Sequence, residues 1–434
     1  MLANAAKARA AALAVPLDSA VLAAESAPTE AARHGWRVLG ILSVLMGFAS
    51  ISTDLYLPAM PAMGRSLSAD TGMVELTVSG YLIGFSLGQL LWGPISDRHG
   101  RRLPVAIGLV LFVIGSAGCA LAGSAWAMIG WRVLQAVGAS AGVVLARAMV
   151  RDLYEGSRAA QMMSTLMTVM AIAPLIGPSL GGQILALAGW SAIFWTLVGV
   201  GLATLAALAA LPETLPVARR SRQPLGRALI DYGELLRDRR LLGYAGTGGF
   251  FYGGMFAYIA GTPFAYINYH HVPAGLYGVL FAVGIVGIIA TNTINSRLVL
   301  RLGSDRLLFW GTAAAALAGI VVAAAAWTGW GGLWGLVVPL FVFASATGFI
   351  VANSIAGALA GFPERAGAVS ALVGALQYGS GIISSALVGA FADGTPWPMG
   401  WVIALAGIGS LLCVWLLLGT ALTQAERMPS RDGA

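Results

Sequence analysis

The sequence predicts an all-α integral membrane protein: twelve transmembrane helices in two six-helix halves, with both termini in the cytoplasm. Three observations carry that expectation. Hydrophobic residues make up 58% of the chain and charged residues 10%, against about 25% charged in soluble domains. Twelve apolar runs follow one another, each long enough to cross a hydrocarbon layer about 30 Å thick. Finally, 23 of the 25 Lys and Arg residues fall in segments that this layout puts on one side, and cytoplasmic loops are where positive charge gathers. Only Arg65 falls on the other side and Arg132 within a run. Glycine, at 58 of 434 residues, would weaken soluble helices but lets membrane helices approach one another.

The elements follow in order. Residues 1–35 are Ala-rich and carry Lys7, Asp18, Glu25 and Glu30. They lack the compact apolar core and flanks of a cleavable signal, so a disordered cytoplasmic tail is expected. The apolar runs lie near 37–60, 74–95, 104–122, 126–148, 161–186 and 190–211, then 241–267, 275–297, 305–327, 333–358, 366–391 and 398–421. Very short connections, such as Ala188-Gly189, make neighbours antiparallel. The first six runs form an N-terminal half over 36–211 and the last six a C-terminal half over 241–424, with a cytoplasmic tail at 425–434. Between the halves, a cytoplasmic linker over 212–240 holds seven arginines. Its segment 226–240 has helical spacing and reads either as a helix along the membrane surface or as a solvated linker helix. A weak internal echo links Gly93–Arg102, after the second run, with Arg297–Arg306, after the eighth; both are glycine-containing and arginine-rich. Two such halves around a central site are the architecture of alternating-access transporters.

Several function classes are excluded or disfavoured. The basic residues sit in short pieces between apolar runs, which suits an anionic leaflet and not a nucleic-acid surface. The one lysine, Lys7, has no Gly-rich turn around it, so no phosphate-binding loop is present and an ATP-driven pump within this chain is not expected. Cys119 and Cys413 lie in apolar runs and read as packing residues. His270-His271 has no third ligand beside it, so no metal site is expected, and no nucleophile–base spacing points to an enzyme. No cofactor is expected.

The informative residues are two charges inside apolar runs. Asp54 stands in Ile51-Ser52-Thr53-Asp54-Leu55-Tyr56-Leu57-Pro58-Ala59-Met60-Pro61, and Arg132 in the fourth run. A charge at a helix centre in hydrocarbon costs about 2.5–3.5 kcal/mol even on lenient scales, so such residues face a bundle interior or a wet cavity. Both lie roughly 10 Å from the same end of their runs at 1.5 Å per residue. A shared depth is what a compensating, water-accessible pair would need; the alternative is a structural ion pair that merely orients two helices. Burial disfavours a carboxylate's charge and a nearby arginine favours it, so a cavity that opens and closes would suit Asp54 to carry a proton. Gln135 lies one turn from Arg132 on the same face. Tyr252, Tyr258, Asn353 and Gln377 offer aromatic and polar lining from the second half, with Tyr56 and Gln135 from the first. An adaptable aromatic wall suits amphiphilic ligands, although membrane aromatics also serve as interfacial belts.

Two further stretches complete the pattern. In Gly93-Pro94-Ile95-Ser96-Asp97-Arg98-His99-Gly100-Arg101-Arg102, Gly93 and Gly100 permit a tight reversal between helices, and Arg101 is placed to pair with an acid such as Asp152. In Ala173-Pro174-Leu175-Ile176-Gly177-Pro178-Ser179-Leu180-Gly181-Gly182, prolines free backbone carbonyls and glycines allow near-contact of helices.

Together with Arg132-Val133-Leu134-Gln135-Ala136-Val137-Gly138 and Arg151-Asp152, these stretches resemble the major facilitator superfamily. The Asp54–Pro61 stretch is similar to its twelve-span drug:proton antiporters of the bicyclomycin/chloramphenicol-resistance (Bcr/CflA) type. The resemblance runs from about residue 37 to 420 and is more diagnostic in the first half. It implies an inner-membrane, proton-coupled exporter of small amphiphiles such as phenicols or bicyclomycin, working as a monomer in the bilayer. It implies proton coupling by Asp54 and Arg132. It also implies a cytoplasmic latch of Gly93, Asp97, Arg98, Gly100, Arg101 and Asp152, where the bare alternative is a topogenic loop. Pro174, Gly177, Pro178, Gly181 and Gly182 become an antiporter kink motif that seals the seam between halves, or only a packing kink. The second-half echo has Leu300 in place of Asp97, so a weaker latch is expected there. An uptake symporter or metabolite exporter on the same fold is the alternative.

Overall fold

The computed structural model describes residues 35–154, 156–220, 232–362 and 365–418. Residues 1–34 of the expected N-terminal tail, the C-terminal tail and residues 226–231 of the helical linker segment lie outside the described residues. The described residues divide between Gly40 and Ile41, and the functional site lies wholly in the part that begins at Ile41.

Among the described residues every regular element is helical, as hydrocarbon demands of a chain whose backbone must satisfy itself. The long helices are α1 (Gly35–Asp54), α2 (Thr71–His99), α3 (Arg102–Ala120), α4 (Ala125–Leu153), α5 (Gly156–Ala188) and α6 (Trp190–Leu208), followed by α7 (Arg239–Pro263), α8 (Ala274–Leu302) and α9 (Ser304–Thr328). α10 (Gly332–Ala360) is interrupted at Ala346, and α11 (Ala366–Ala390) and α12 (Trp397–Cys413) complete the set. Ten helices are long and apolar enough to cross a membrane among the described residues. The other two expected spans fall on α5 and α7.

Local chemistry sets the boundaries. Asp70, Ser124 and Asp238 cap α2, α4 and α7 by accepting the amides of Met73, Ala127 and Leu241 at 2.8, 3.2 and 2.7 Å, the ordinary role of short polar residues at a helix start. Gly100 (φ +88°) and Gly303 (φ +78°) end α2 and α8 in a backbone conformation that favours glycine. The repeat read between Gly93–Arg102 and Arg297–Arg306 thus has a structural counterpart in these two turns. Gly93, however, lies inside α2, and a Cβ there would meet nothing within 4 Å. The reversal belongs to Gly100 alone, because Pro94 is accommodated within a helix that runs on to His99.

α1–α6 and α7–α12 meet along two seams. On one, α2 lies on α11: Gly72 backs onto Gly389, Ser79 and Ser385 share a hydrogen bond of 2.7 Å, and Phe85 packs on Tyr378 at 4.7 Å. On the other, α5 meets α8 where a Cβ on Gly278 would stand 2.6 Å from the Ser179 nitrogen and one on Gly182 3.1 Å from the Ala274 carbonyl. Small residues let the backbones touch, which is how helices associate where no hydrophobic drive separates them from lipid. Both seams are tight at the end away from the arginines. At the arginine-rich end, a cavity of about 460 Å³ lies between Gly93, Asp97, Arg147 and Asp152 on one side and Ala368 and Ser370 on the other.

Candidate functional site

Asp54 owes its place to proline. Pro58 has no N–H to offer the Asp54 carbonyl four residues earlier and its ring crowds that carbonyl, so α1 stops at Asp54. The chain continues as a 3-10 turn over Leu57–Ala59. Ser52 and Thr53 return their hydroxyls to the carbonyls of Phe48 and Ala49, and so are spent locally. Asp54 is 5% exposed and lines a cavity of about 200 Å³ with Tyr81, Phe85, Pro174, Tyr252, Tyr258 and Tyr378. Among the described residues no hydrogen bond or ion pair reaches its carboxyl.

α5 holds Asp54 from behind. A Cβ on Gly177 would lie 2.9 Å from the Asp54 Cβ, and one on Gly181, a turn later, 1.8 Å from the Leu55 carbonyl oxygen. The kink motif therefore faces two ways: Gly177 and Gly181 seat α1, and Gly182 meets α8. Pro174 and Pro178 also leave the carbonyls of Met170 and Pro174 without helical donors, and both of those residues line the central cavity.

Arg132 does not pair with Asp54. Its guanidinium is fully buried and lies between the rings of Tyr56 and Tyr81, 4.2 and 4.3 Å from their centroids. It donates to the Ser52 carbonyl at 3.0 Å and to Gln135 Oε1 at 2.6 Å. Gln135 in turn donates to Ser116 Oγ at 2.8 Å. Desolvated stacking on aromatic faces offsets about 2 kcal/mol each of the cost of burying the charge. The expected ion pair is therefore replaced by a link through backbone: Arg132 touches α1 two residues before Asp54.

The six residues expected to line a cavity divide accordingly. Tyr252 and Tyr258 do line it. Tyr56 and Gln135 are fully buried around Arg132. Asn353 donates to Asn295 Oδ1 and to the Phe349 carbonyl, both at 2.8 Å, and so ties α10 to α8. Gln377 packs toward Gly248 of α7. None of these last four lines that wall: partners inside the helix bundle claim Tyr56, Gln135 and Asn353, whereas the Gln377 Nε2 is buried with no hydrogen-bond partner among the described residues. Phe85 and Tyr81 were missed; their spacing of four on α2, one turn apart, was the available signal. Glu75, 3% exposed in the first turns of α2, was also missed because it sits at the edge of an apolar run.

At the arginine-rich end, Arg101 bonds Asp97 at 2.5 Å and Asp152 at 2.8 Å, the second as its spacing anticipated. Burial works against the Arg101 charge, but hydrogen bonds to Asp152 and Asp97 outweigh it and raise its pKa. Glu213 joins the cluster and accepts the amides of Arg101, Arg102 and Leu215 at 2.8, 3.2 and 3.0 Å. Partial burial pushes its carboxyl up, but those amides and Arg220 hold it below the usual carboxylate range. Arg98 is exposed. Among the described residues this cluster ties the α2–α3 turn, α4 and the linker; the 460 Å³ cavity stands between it and α11.

The comparisons agree with this architecture. The sequence pattern of the Major Facilitator Superfamily matches residues 42–385. An uncharacterized MFS-type transporter of Bacillus subtilis is 36% identical over 86% of this chain and 93% of its own. A bicyclomycin resistance protein homolog of Haemophilus influenzae is 30% identical, covering 87% and 94%. A chloramphenicol resistance protein of Pseudomonas aeruginosa is 31% identical, covering 83% and 85%. A solved D-xylose-proton symporter superposes with a TM-score of 0.71 over 88% of this chain and 98% of its own, at 17% identity, which speaks to fold alone. With ten helices among the described residues long and apolar enough to cross a membrane, and an MFS-type transporter among its relatives, this is a multi-pass inner-membrane protein. It belongs to the major facilitator superfamily, alongside bicyclomycin- and chloramphenicol-resistance members.

Proposed function

We propose that this chain exports small amphiphilic molecules in exchange for protons, with Asp54 as the proton carrier and alternating access as the mechanism. One observation carries the reading: the carboxyl of Asp54, free of any ion pair among the described residues, forms part of the wall of the cavity between α1–α6 and α7–α12. A lone acid in that position exchanges its proton with whichever side the cavity faces, and a bound drug competes for the same space. Twelve crossings with both termini cytoplasmic would put the arginine-rich end inside, in accord with positive charge at the inner leaflet. The tight seams at the other end and the cavity at the arginine-rich end fit a chain that faces the cytoplasm. In that state the Arg101 cluster is disengaged from α11, and closing the inner cavity would bring the two together as a latch. Arg132 is a positioning residue: it holds the end of α1, and hence Asp54, through the Ser52 carbonyl.

The relatives named for bicyclomycin and chloramphenicol resistance support small antibiotics as substrates, as does an aromatic wall with the freed carbonyls of Met170 and Pro174. The chain works as a monomer with no bound cofactor. The test is a susceptibility panel, including bicyclomycin and chloramphenicol, in a host stripped of its own exporters. The intact chain should raise resistance to at least one compound, and Asp54→Asn, inserted to the same level, should not. Equal resistance from the two would remove Asp54 from the mechanism. Accumulation driven inward would replace export by uptake.

A further inference from the structure

One charged group has no place in the mechanism above. Arg147 lies on α4, 15 residues or about 22 Å along the helix from Arg132 toward the arginine-rich end. It lines the 460 Å³ cavity together with Asp97, Arg101, Arg151 and Asp152. Three arginines face two aspartates there, and Arg101 takes both aspartates, at 2.5 and 2.8 Å. Arg147 has no ion pair or side-chain hydrogen bond among the described residues, and its Nε is shut away from solvent without a partner. Burying part of a guanidinium without a counter-charge is costly, and among the described residues no group repays that cost.

Its neighbours say what would fit. Gln89 lines the inner cavity with Arg147, and Phe85, one turn away on α2, lines the central cavity together with Tyr252 and Tyr378. The rings of Tyr252 and Tyr378 lie 6.2 Å apart, and Phe256 and Phe85 stand 5.7 and 4.7 Å from Tyr378. The inner cavity that Arg147 lines thus adjoins the aromatic cluster of the central one. A planar guanidinium meets a carboxylate through two parallel hydrogen bonds, and a ring attached to that carboxylate would enter the aromatic cluster.

We propose that Arg147 is a substrate-binding residue that takes the carboxylate of aromatic, acid-bearing amphiphiles entering from the cytoplasmic side. This names a substrate class for the exporter reading and rests on it. The matched probes are rhodamine 110, which carries a free carboxyl, and rhodamine 123, its methyl ester with the same chromophore. Binding of each to the purified full-length chain in detergent is read by fluorescence polarisation, with no proton gradient present. The wild-type chain should bind the acid more tightly than the ester. Arg147→Gln should weaken the acid by about tenfold or more, as expected for a lost hydrogen bond to a charged group. It should leave the ester within about twofold, a selectivity that a merely structural arginine would not produce. Arg147→Lys, which keeps the charge, should retain a reduced preference for the acid. The proposal is overturned if the wild-type chain binds neither dye or favours the ester, or if Arg147→Gln weakens both alike or neither; the first two results need no variant to fold. Because no gradient is involved, loss of the acid preference leaves proton coupling by Asp54 standing. Loss of coupling in the susceptibility panel likewise leaves the acid preference untouched.

Discussion

Replacing Gly181 by alanine would put a methyl carbon 1.8 Å from the Leu55 carbonyl oxygen, where ordinary contact begins at 3.4 Å. The obstacle is backbone on both sides, so no flexible side chain can swing away. α5 and α1 would have to part by more than an ångström at the residue next to Asp54. Overpacking of this kind costs about 1–3 kcal/mol. Gly93→Ala is the contrast: it belongs to an equally glycine-rich motif, yet its added methyl meets nothing within 4 Å. Removing a helical glycine there should be neutral or stabilise by up to about 1 kcal/mol. Thermal unfolding of the two purified variants in detergent reads the difference directly. Gly181→Ala should melt several degrees below wild type and Gly93→Ala at or slightly above it. Equal midpoints for both variants, or a lower one for Gly93→Ala, would show that the α1–α5 contact is not as tight as described.

Arg132→Lys keeps a positive charge but loses the planar stack between Tyr56 and Tyr81 and one route to Ser52 or Gln135. It should cost about 1–3 kcal/mol of stability, read by thermal or denaturant unfolding, whereas a simple point charge at that place would lose nothing. The Glu213 carboxyl titrates below its ordinary value of 4.5 in the folded chain. Its contribution to stability is therefore complete above that value and lost as the pH falls through the folded pKa. The gap in melting temperature between wild type and Glu213→Gln should be widest near neutral pH and close under acid; a gap that stays constant or widens on acidification would count against the amide cradle around Glu213.

Much of the architecture was legible because hydrocarbon leaves few choices. Long apolar runs must be helices, and the arginines between them gather at one end of the bundle. The contact of Arg101 with Asp152 was legible from a compact motif, and the prominence of Asp54 from a single charge in an apolar stretch. The Asp54–Arg132 pair was misread for a definite reason. Distance along a helix gives depth but not direction around the axis, and it cannot tell that the guanidinium stands over the rings of both Tyr56 and Tyr81. Asn353 looked like a cavity residue because it is polar in an apolar run, yet such a residue is as readily consumed by a partner within the bundle, here Asn295; Gln377 read the same way, and its Nε2 is buried without a partner among the described residues. Gly93 read as a turn because turns favour glycine, while the helix continues past it to His99. Arg147 escaped notice since a loop-side arginine looks topogenic until the two aspartates nearby are seen to be engaged with Arg101.

The central claim is that one carboxyl, that of Asp54, carries the proton exchanged for drug. Inverted membrane vesicles holding a pH gradient, reported by acridine orange, test it most directly with a drug to which the intact chain confers resistance. Adding that drug should dissipate the gradient in vesicles with the wild-type chain and leave it intact with Asp54→Asn. An equal collapse of the gradient in the Asp54→Asn vesicles would contradict the account.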